Sequence, residues 1–158
     1  KPIKTPRHLL AVRGKLTKAC LTVSQALPLG DPGLFAAQIF GTKRKQGIGV
    51  VPHYTDKYHP LIKDIERLDN VKIIDVERSA EDVCQDIAGC ERILSSSLHG
   101  LIVADSFNIP NRIIGLYNKL KGGDFKFKDY ASALGRSDIS NTQLEHPDQV
   151  KTLAFKRG

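Results

Sequence analysis

The chain has 158 residues, 41% hydrophobic and 26% charged, with a formal net charge of +7, a composition that argues against disorder. That length predicts one domain burying roughly two thirds of the surface its unfolded chain exposes. The longest apolar run reaches only about half of the roughly twenty residues that a membrane-spanning helix needs.

The run His8 to Val12 reads as a first strand, stopped by Arg13-Gly14, and Lys15 to Val23 as a helix. Gly30-Asp31-Pro32 reads as a helix start, with Asp31 able to cap free N–H groups and Pro32 suited to the first helical position. Gly47 to Pro52 is a β-branched strand ending in His53-Tyr54, and Leu61, Ile62, Ile65 and Leu68 mark one face of a helix. After Asp69-Asn70 comes a strand over Val71 to Val76, then a capping pair, Ser79 and Asp82, opening a helix to Cys90. Arg92 to Ser95 is a strand, Leu98 to Phe107 an almost wholly apolar helix, and Asn111 to Gly115 the last clear strand. Alternation at this spacing predicts an α/β fold: a Rossmann-like parallel sheet with helices on both faces and right-handed connections. Residues 1–135 are expected to form this lobe, and 136–158 a peripheral C-terminal tail.

Ligands of such sheets bind outside the carboxyl ends of the strands. The residues there are expected to be Arg13-Gly14, His53-Tyr54 and the turn Ser95-Ser96-Ser97-Leu98-His99-Gly100, converging on one edge as an anion site. A helix start offers free N–H groups and a positive dipole end to phosphate or carboxylate. Any single serine there is most simply a cap. Three in a row followed by His and Gly point further: Gly100 permits close backbone approach, and His99 can move a proton near neutral pH. Arg13 supplies the bidentate cation, at roughly 1.5–3 kcal/mol per charged hydrogen bond against about 0.3–1 kcal/mol from the helix dipole. His53 and Asp56 read equally well as residues that shape their loop.

Other templates fit poorly. No glycine stands two residues before a candidate serine, there is no phosphate-binding G-x-x-x-x-G-K-[ST] loop, and Gly47-Ile48-Gly49 lacks the third glycine of the dinucleotide fingerprint. Cys84 and Cys90 are too far apart for a zinc pair, so no metal is expected. The three cysteines suit a reduced, cytoplasmic protein. No secretory leader pattern opens the chain, and a sequence without Met is expected to be trimmed or a fragment. The positive excess points to an anionic partner without naming it. Aromatic content of 6% is low for a base-stacking surface, and Lys43-Arg44-Lys45 reads as a solvated loop.

Taken together, Val12-Arg13-Gly14 with Leu16-Thr17, Gly30-Asp31-Pro32-Gly33-Leu34, Gly49 to Tyr54 and above all ILSSSLHGLIVADSFNIP from Ile93 to Pro110 resemble a polysaccharide pyruvyl transferase. A later Phe125-Lys126-Phe127-Lys128-Asp129-Tyr130 fits the same pattern. The resemblance implies an enzyme that moves the enolpyruvyl unit of phosphoenolpyruvate onto two hydroxyls of a sugar as a cyclic ketal, without a cofactor. The acceptor would be a glycan or lipid-linked oligosaccharide, met in the cytoplasm or at the inner face of the membrane through peripheral association. It further implies a two-lobed fold like GT-B glycosyltransferases, this chain being the C-terminal lobe and an N-terminal lobe lying upstream. Carried over by residue, Arg13 and His99 match the basic residues that hold phosphoenolpyruvate, with Ser97 and Leu98 beside them. Read with the residues themselves, His99 and Arg13 are expected to be catalytic, Ser96 and Gly100 to complete the donor site, and His53, Tyr54 and Asp31 to be acceptor-side candidates. Some family members carry Arg where Ser97 stands.

Two alternatives stay open at this stage. One is a glycosyltransferase lobe using a nucleotide-sugar; the other is a non-enzymatic basic module binding anionic polysaccharide or nucleic acid.

Overall fold

A computed structural model describes residues 9–21, 26–116, 123–137 and 139–153. In chain order its elements are α1 (Lys15–Ala19), a 3₁₀ turn (Pro32–Phe35), α2 (Ala36–Phe40), β1 (Ile48–Val51), α3 (Pro60–Glu66), β2 (Val71–Ile73) and α4 (Ala80–Ala88). There follow β3 (Arg92–Ser95), α5 (Leu98–Ser106), β4 (Asn111–Gly115), α6 (Phe125–Ala133), β5 (Asn141–Gln143) and α7 (Gln149–Thr152). The chain divides into two compact units: Lys1–Pro32 with Lys121–Ile139, and Gly33–Leu120 with Ser140–Gly158.

The larger unit is a five-stranded sheet in the order β2-β1-β3-β4-β5, every pair parallel. It is an α/β, Rossmann-like fold with helices on both faces. Alternation along β1 and β3 sorts the core. Val51 and Ile93 join Ile74, Ile87, Ala104 and Phe107 on one face, against α2, α4 and α5. Val50 and Leu94 join Leu61, Ile62, Ile65, Ile114 and Val150 on the other, against α3 and α7. Each fully buried aliphatic side chain contributes about 1.5–3 kcal/mol of transfer free energy, so the two faces together hold the sheet. The Ser79 hydroxyl accepts the Asp82 N–H at 3.1 Å and opens α4 as the sequence leads one to expect.

Three expectations are corrected. Leu9 to Val12 is not a strand of this sheet: Val12 makes an isolated parallel bridge with Leu29 in the smaller unit, while His8 and Val23 lie outside the described residues. The helix expected from Asp31-Pro32 begins as the 3₁₀ turn and turns α-helical only at Ala36. Within 136–158, Asn141–Gln143 pairs with β4 as the edge strand, and Leu144 and Val150 are buried, so this stretch is part of the sheet unit rather than a peripheral tail. Its polar sequence hid the strand, which exists because β4 offers an unpaired edge.

Candidate active site

The strand order places a topological switch between β1 and β3, since the chain leaves β1 toward β2 on one side and β3 toward β4 on the other. A ligand crevice is expected outside the carboxyl ends of those two strands. Val51 pairs with Ser95 there, so His53-Tyr54 and Ser96-Ser97 leave the sheet side by side.

Hydrogen bonds tie these two segments together. The Ser96 N–H donates to the Val51 carbonyl at 3.2 Å. The Ser95 hydroxyl lies 2.9 Å from the Val51 carbonyl and 2.7 Å from the Ser97 carbonyl, and it accepts the Ser97 N–H at 3.0 Å. The Ser96 hydroxyl accepts the His53 N–H and donates to Asp56 Oδ2, both at 2.8 Å. Asp56 is buried, and its other oxygen accepts the Thr55 hydroxyl at 3.2 Å. Thr55 Oγ1 in turn lies 2.9 Å from His53 Nδ1.

The three serines therefore differ in kind. Ser95 and Ser96 use their hydroxyls to fasten the turn. Ser97 stands at the N-cap of α5 in extended conformation and makes no side-chain capping bond, so the first-turn N–H groups keep the positive end of the helix open to an anion. His99, in that first turn, is exposed, whereas Leu98 and Gly100 on either side are buried. A Cβ at Gly100 would collide with the Ser95 hydroxyl and come within 2.9 Å of Val51 Cγ1, so glycine lets α5 start directly against β1 and β3. On the neighbouring loop Tyr54 is exposed, its ring 4.5 Å from that of half-buried His53.

Lys57 anchors this loop to the segment after β2, with Asp75 at 2.6 Å and Glu77 at 2.9 Å. The hydrogen bond to Asp75, then that to Glu77, holds the Lys57 ammonium above the usual lysine range. Asp75 is correspondingly held below the usual carboxylate range.

Arg13 belongs to the smaller unit and does not end a strand of the sheet; the segments that leave the carboxyl ends of β1 and β3 are His53-Tyr54 and Ser95 to Gly100. Within its own unit Arg13 Nε lies 3.6 Å from Asp129 Oδ2. Asp129, on α6, is fully buried and also accepts the Thr17 N–H at 2.8 Å and the Thr17 hydroxyl at 2.6 Å. Asp129 lies within the Phe125 to Tyr130 motif, where local sequence assigns it no role; the available signal is a lone acid on an otherwise buried helix face with Phe127, Tyr130 and Ala131. Asp31 is half-buried at the end of the same unit.

A model of the polysaccharide pyruvyl transferase family matches residues 3–116, most of the chain. The chain belongs to the polysaccharide pyruvyl transferase family. The uncharacterized protein L143 of Acanthamoeba polyphaga mimivirus is 35% identical over 144 residues, which cover 84% of this chain and 50% of that protein. The succinoglycan biosynthesis protein ExoV of Rhizobium meliloti (strain 1021) is 30% identical over 128 residues, covering 79% of this chain and 40% of its own. The chain thus spans half or less of the length of the curated relatives it matches. No solved structure was found to match it. Arg13, His53, Ser96, Ser97 and His99 lie inside the family match, and Asp129 beyond its end. Among the described residues no group of three or more His, Cys, Asp or Glu side chains is placed to hold a metal, and no helix is long and apolar enough to cross a membrane.

Proposed function

We propose that this chain is the donor-binding part of a pyruvyl transferase that moves the enolpyruvyl group of phosphoenolpyruvate onto two hydroxyls of a glycan, in a GT-B-like enzyme with a further lobe. The observation that carries the reading is the uncapped amino end of α5 with exposed His99 beside it. Family membership favours this donor over a nucleotide-sugar, and over a module that only binds polyanions.

Phosphoenolpyruvate carries a phosphate and a carboxylate on neighbouring atoms. In this proposal the N–H groups at the start of α5, the Ser97 hydroxyl and His99 take one anionic group in the sheet unit. Arg13 serves the donor from the smaller unit, an assignment that rests on the family resemblance. Ser96 acts through the loop it fastens, and Gly100 through the close approach it allows.

Protonated His99 gives its proton to C3, turning the methylene into a methyl group and leaving an oxocarbenium-like centre at C2. One sugar hydroxyl adds to C2 and returns its proton to His99. The C–O bond to phosphate then breaks, the second hydroxyl closes the ketal, and its proton leaves with the phosphate. Two hydroxyl protons are lost and two are gained, one by carbon and one by phosphate. His53 and Tyr54 lie toward the acceptor, where an exposed ring offers an apolar face to a sugar. Asp31, in the smaller unit, is read as serving the acceptor too. The acceptor is met in the cytoplasm, at the inner face of the membrane when lipid-linked.

The test is incubation of the full-length protein with phosphoenolpyruvate and an acceptor glycan. Phosphate release in step with a new pyruvate-ketal methyl signal in the proton spectrum is expected. Turnover of a nucleotide-sugar in its place would overturn the proposal.

A further inference from the structure

We infer that Asp129 is a positioning residue for Arg13, fixing the guanidinium in the orientation in which it meets an oxyanion. The inference rests on the proposal that Arg13 serves the phosphoenolpyruvate donor.

Three observations carry it. First, Asp129 has a side-chain exposure of 0%, and a carboxylate at such depth is costly unless paired and hydrogen-bonded. The two Thr17 donors satisfy hydrogen-bonding capacity at the start of α1, but a neutral acceptor would serve a helix end as well. An acid rather than a neutral acceptor at this place is explained by the guanidinium beside it. Second, Arg13 Nε is itself buried, has no hydrogen bond, and lies 3.6 Å from Asp129 Oδ2, while the Arg13 side chain as a whole remains 29% exposed. The guanidinium is therefore held at its Nε edge by charge, with no hydrogen bond from Nε. Third, the approach of the two segments is built into the chain next to Arg13. A Cβ at Gly14 would run into the Asp129 carbonyl and its carboxylate, and the Lys15 N–H is taken by the Ser132 hydroxyl at 2.8 Å. Thus α1 receives its caps from α6, and Arg13 is delivered to Asp129 by the same contact.

A long cationic side chain loses rotamer freedom when it grips a ligand. A fixed carboxylate behind it removes part of that loss before the ligand arrives, so the gain appears as affinity. Because Asp129 acts through Arg13, the two should not contribute independently.

The test is a double-mutant cycle in the full-length enzyme, read as acceptor-dependent phosphate release. Asp129→Asn should raise the KM for phosphoenolpyruvate about tenfold, lower kcat less, and keep the wild-type circular dichroism spectrum. Arg13→Gln should raise KM at least as much, and adding Asp129→Asn to it should change KM no further, a coupling of the size seen for contacting charged residues. Should Asp129→Asn fail to fold, Asp129→Glu keeps the charge but moves the carboxylate by one methylene. That change should raise KM when Arg13 is present and leave it unchanged when combined with Arg13→Gln. A wild-type KM in the folded Asp129 variant, or multiplying effects in the double variant, would overturn the inference while leaving the donor reading standing. A wild-type KM in Arg13→Gln would overturn the inference together with the place given to Arg13 at the donor. A wild-type enzyme that releases no phosphate overturns the donor reading and this inference with it.

Discussion

The Ser96 hydroxyl donates to buried Asp56 while accepting the backbone N–H of His53, both at 2.8 Å, so one side chain locks the loop after β1 to the turn after β3. Replacing Ser96 by Ala strands one oxygen of the buried Asp56 carboxylate and the part-buried His53 N–H. That should cost about 1–3 kcal/mol, read as a lower urea midpoint with an unchanged slope. A midpoint equal to wild type would mean that water replaces the hydroxyl without loss.

Gly100 should tolerate no side chain. An added methyl meets the Ser95 hydroxyl and Val51, neither of which can retreat, because Ser95 is engaged by three main-chain groups and Val51 is in the core. Gly100→Ala should lose about 1–3 kcal/mol from overpacking and weaken phosphoenolpyruvate binding at the same time, since the start of α5 must move. Thermal unfolding and donor titration on the same sample check both parts.

Stability should fall at acid pH through two carboxylates. Asp75 is held below its ordinary value of 3.8, chiefly by the hydrogen bond from Lys57, with the Glu77 N–H adding. For Asp86 burial pushes upward, but hydrogen bonds from Lys72 and Arg78 outweigh it and the net direction is down. A depressed folded-state pKa stabilises fully above the unfolded value, and that contribution is lost as pH falls through the folded value. The urea midpoint should therefore decline below about pH 4, and Asp75→Asn should flatten that decline.

Thiol chemistry should separate the three cysteines. Cys20 is exposed, whereas Cys84 and Cys90 are buried. Burial raises both buried thiols, Cys90 to about 11, and its sulfur hydrogen also points to the Asp86 carbonyl at 3.3 Å. At pH 8 a thiol reagent should modify Cys20 in the native protein and reach the other two only on unfolding. Mass spectrometry of the labelled peptides reads this directly.

Much of the sheet was legible because its strands are local apolar runs with clear stops. Arg92–Ser95 and Asn111–Gly115 have the expected bounds to the residue. The run at Leu9 to Val12 has the same local character, yet its partner is Leu29, and pairing is decided by the tertiary contact, which no local pattern carries. Asn141–Gln143 was hidden for the same reason in reverse, polar in sequence and a strand by position. In α6 the alternation of Phe125, Lys126, Phe127 and Lys128 obscured a helical period. The position of His99 in the first turn of α5 was legible because it follows a strand at a helix start. The Asp129 contact was not, because Thr17 and Asp129 stand 112 positions apart. Lys45 read as a solvated loop residue, but its ammonium donates to the Phe107 carbonyl at 3.0 Å, a cation at the carboxyl end of α5.

The most direct test of the central claim is the transfer rate of His99→Gln in the full-length enzyme, followed as acceptor-dependent phosphate release from phosphoenolpyruvate. Glutamine retains size and hydrogen bonding but cannot deliver the proton to C3. The rate should fall about 10²- to 10⁴-fold, the usual weight of a general acid, with the fold and melting temperature unchanged. A variant that keeps the full rate would contradict the role given to His99 and, with it, the placing of the chemistry at the amino end of α5.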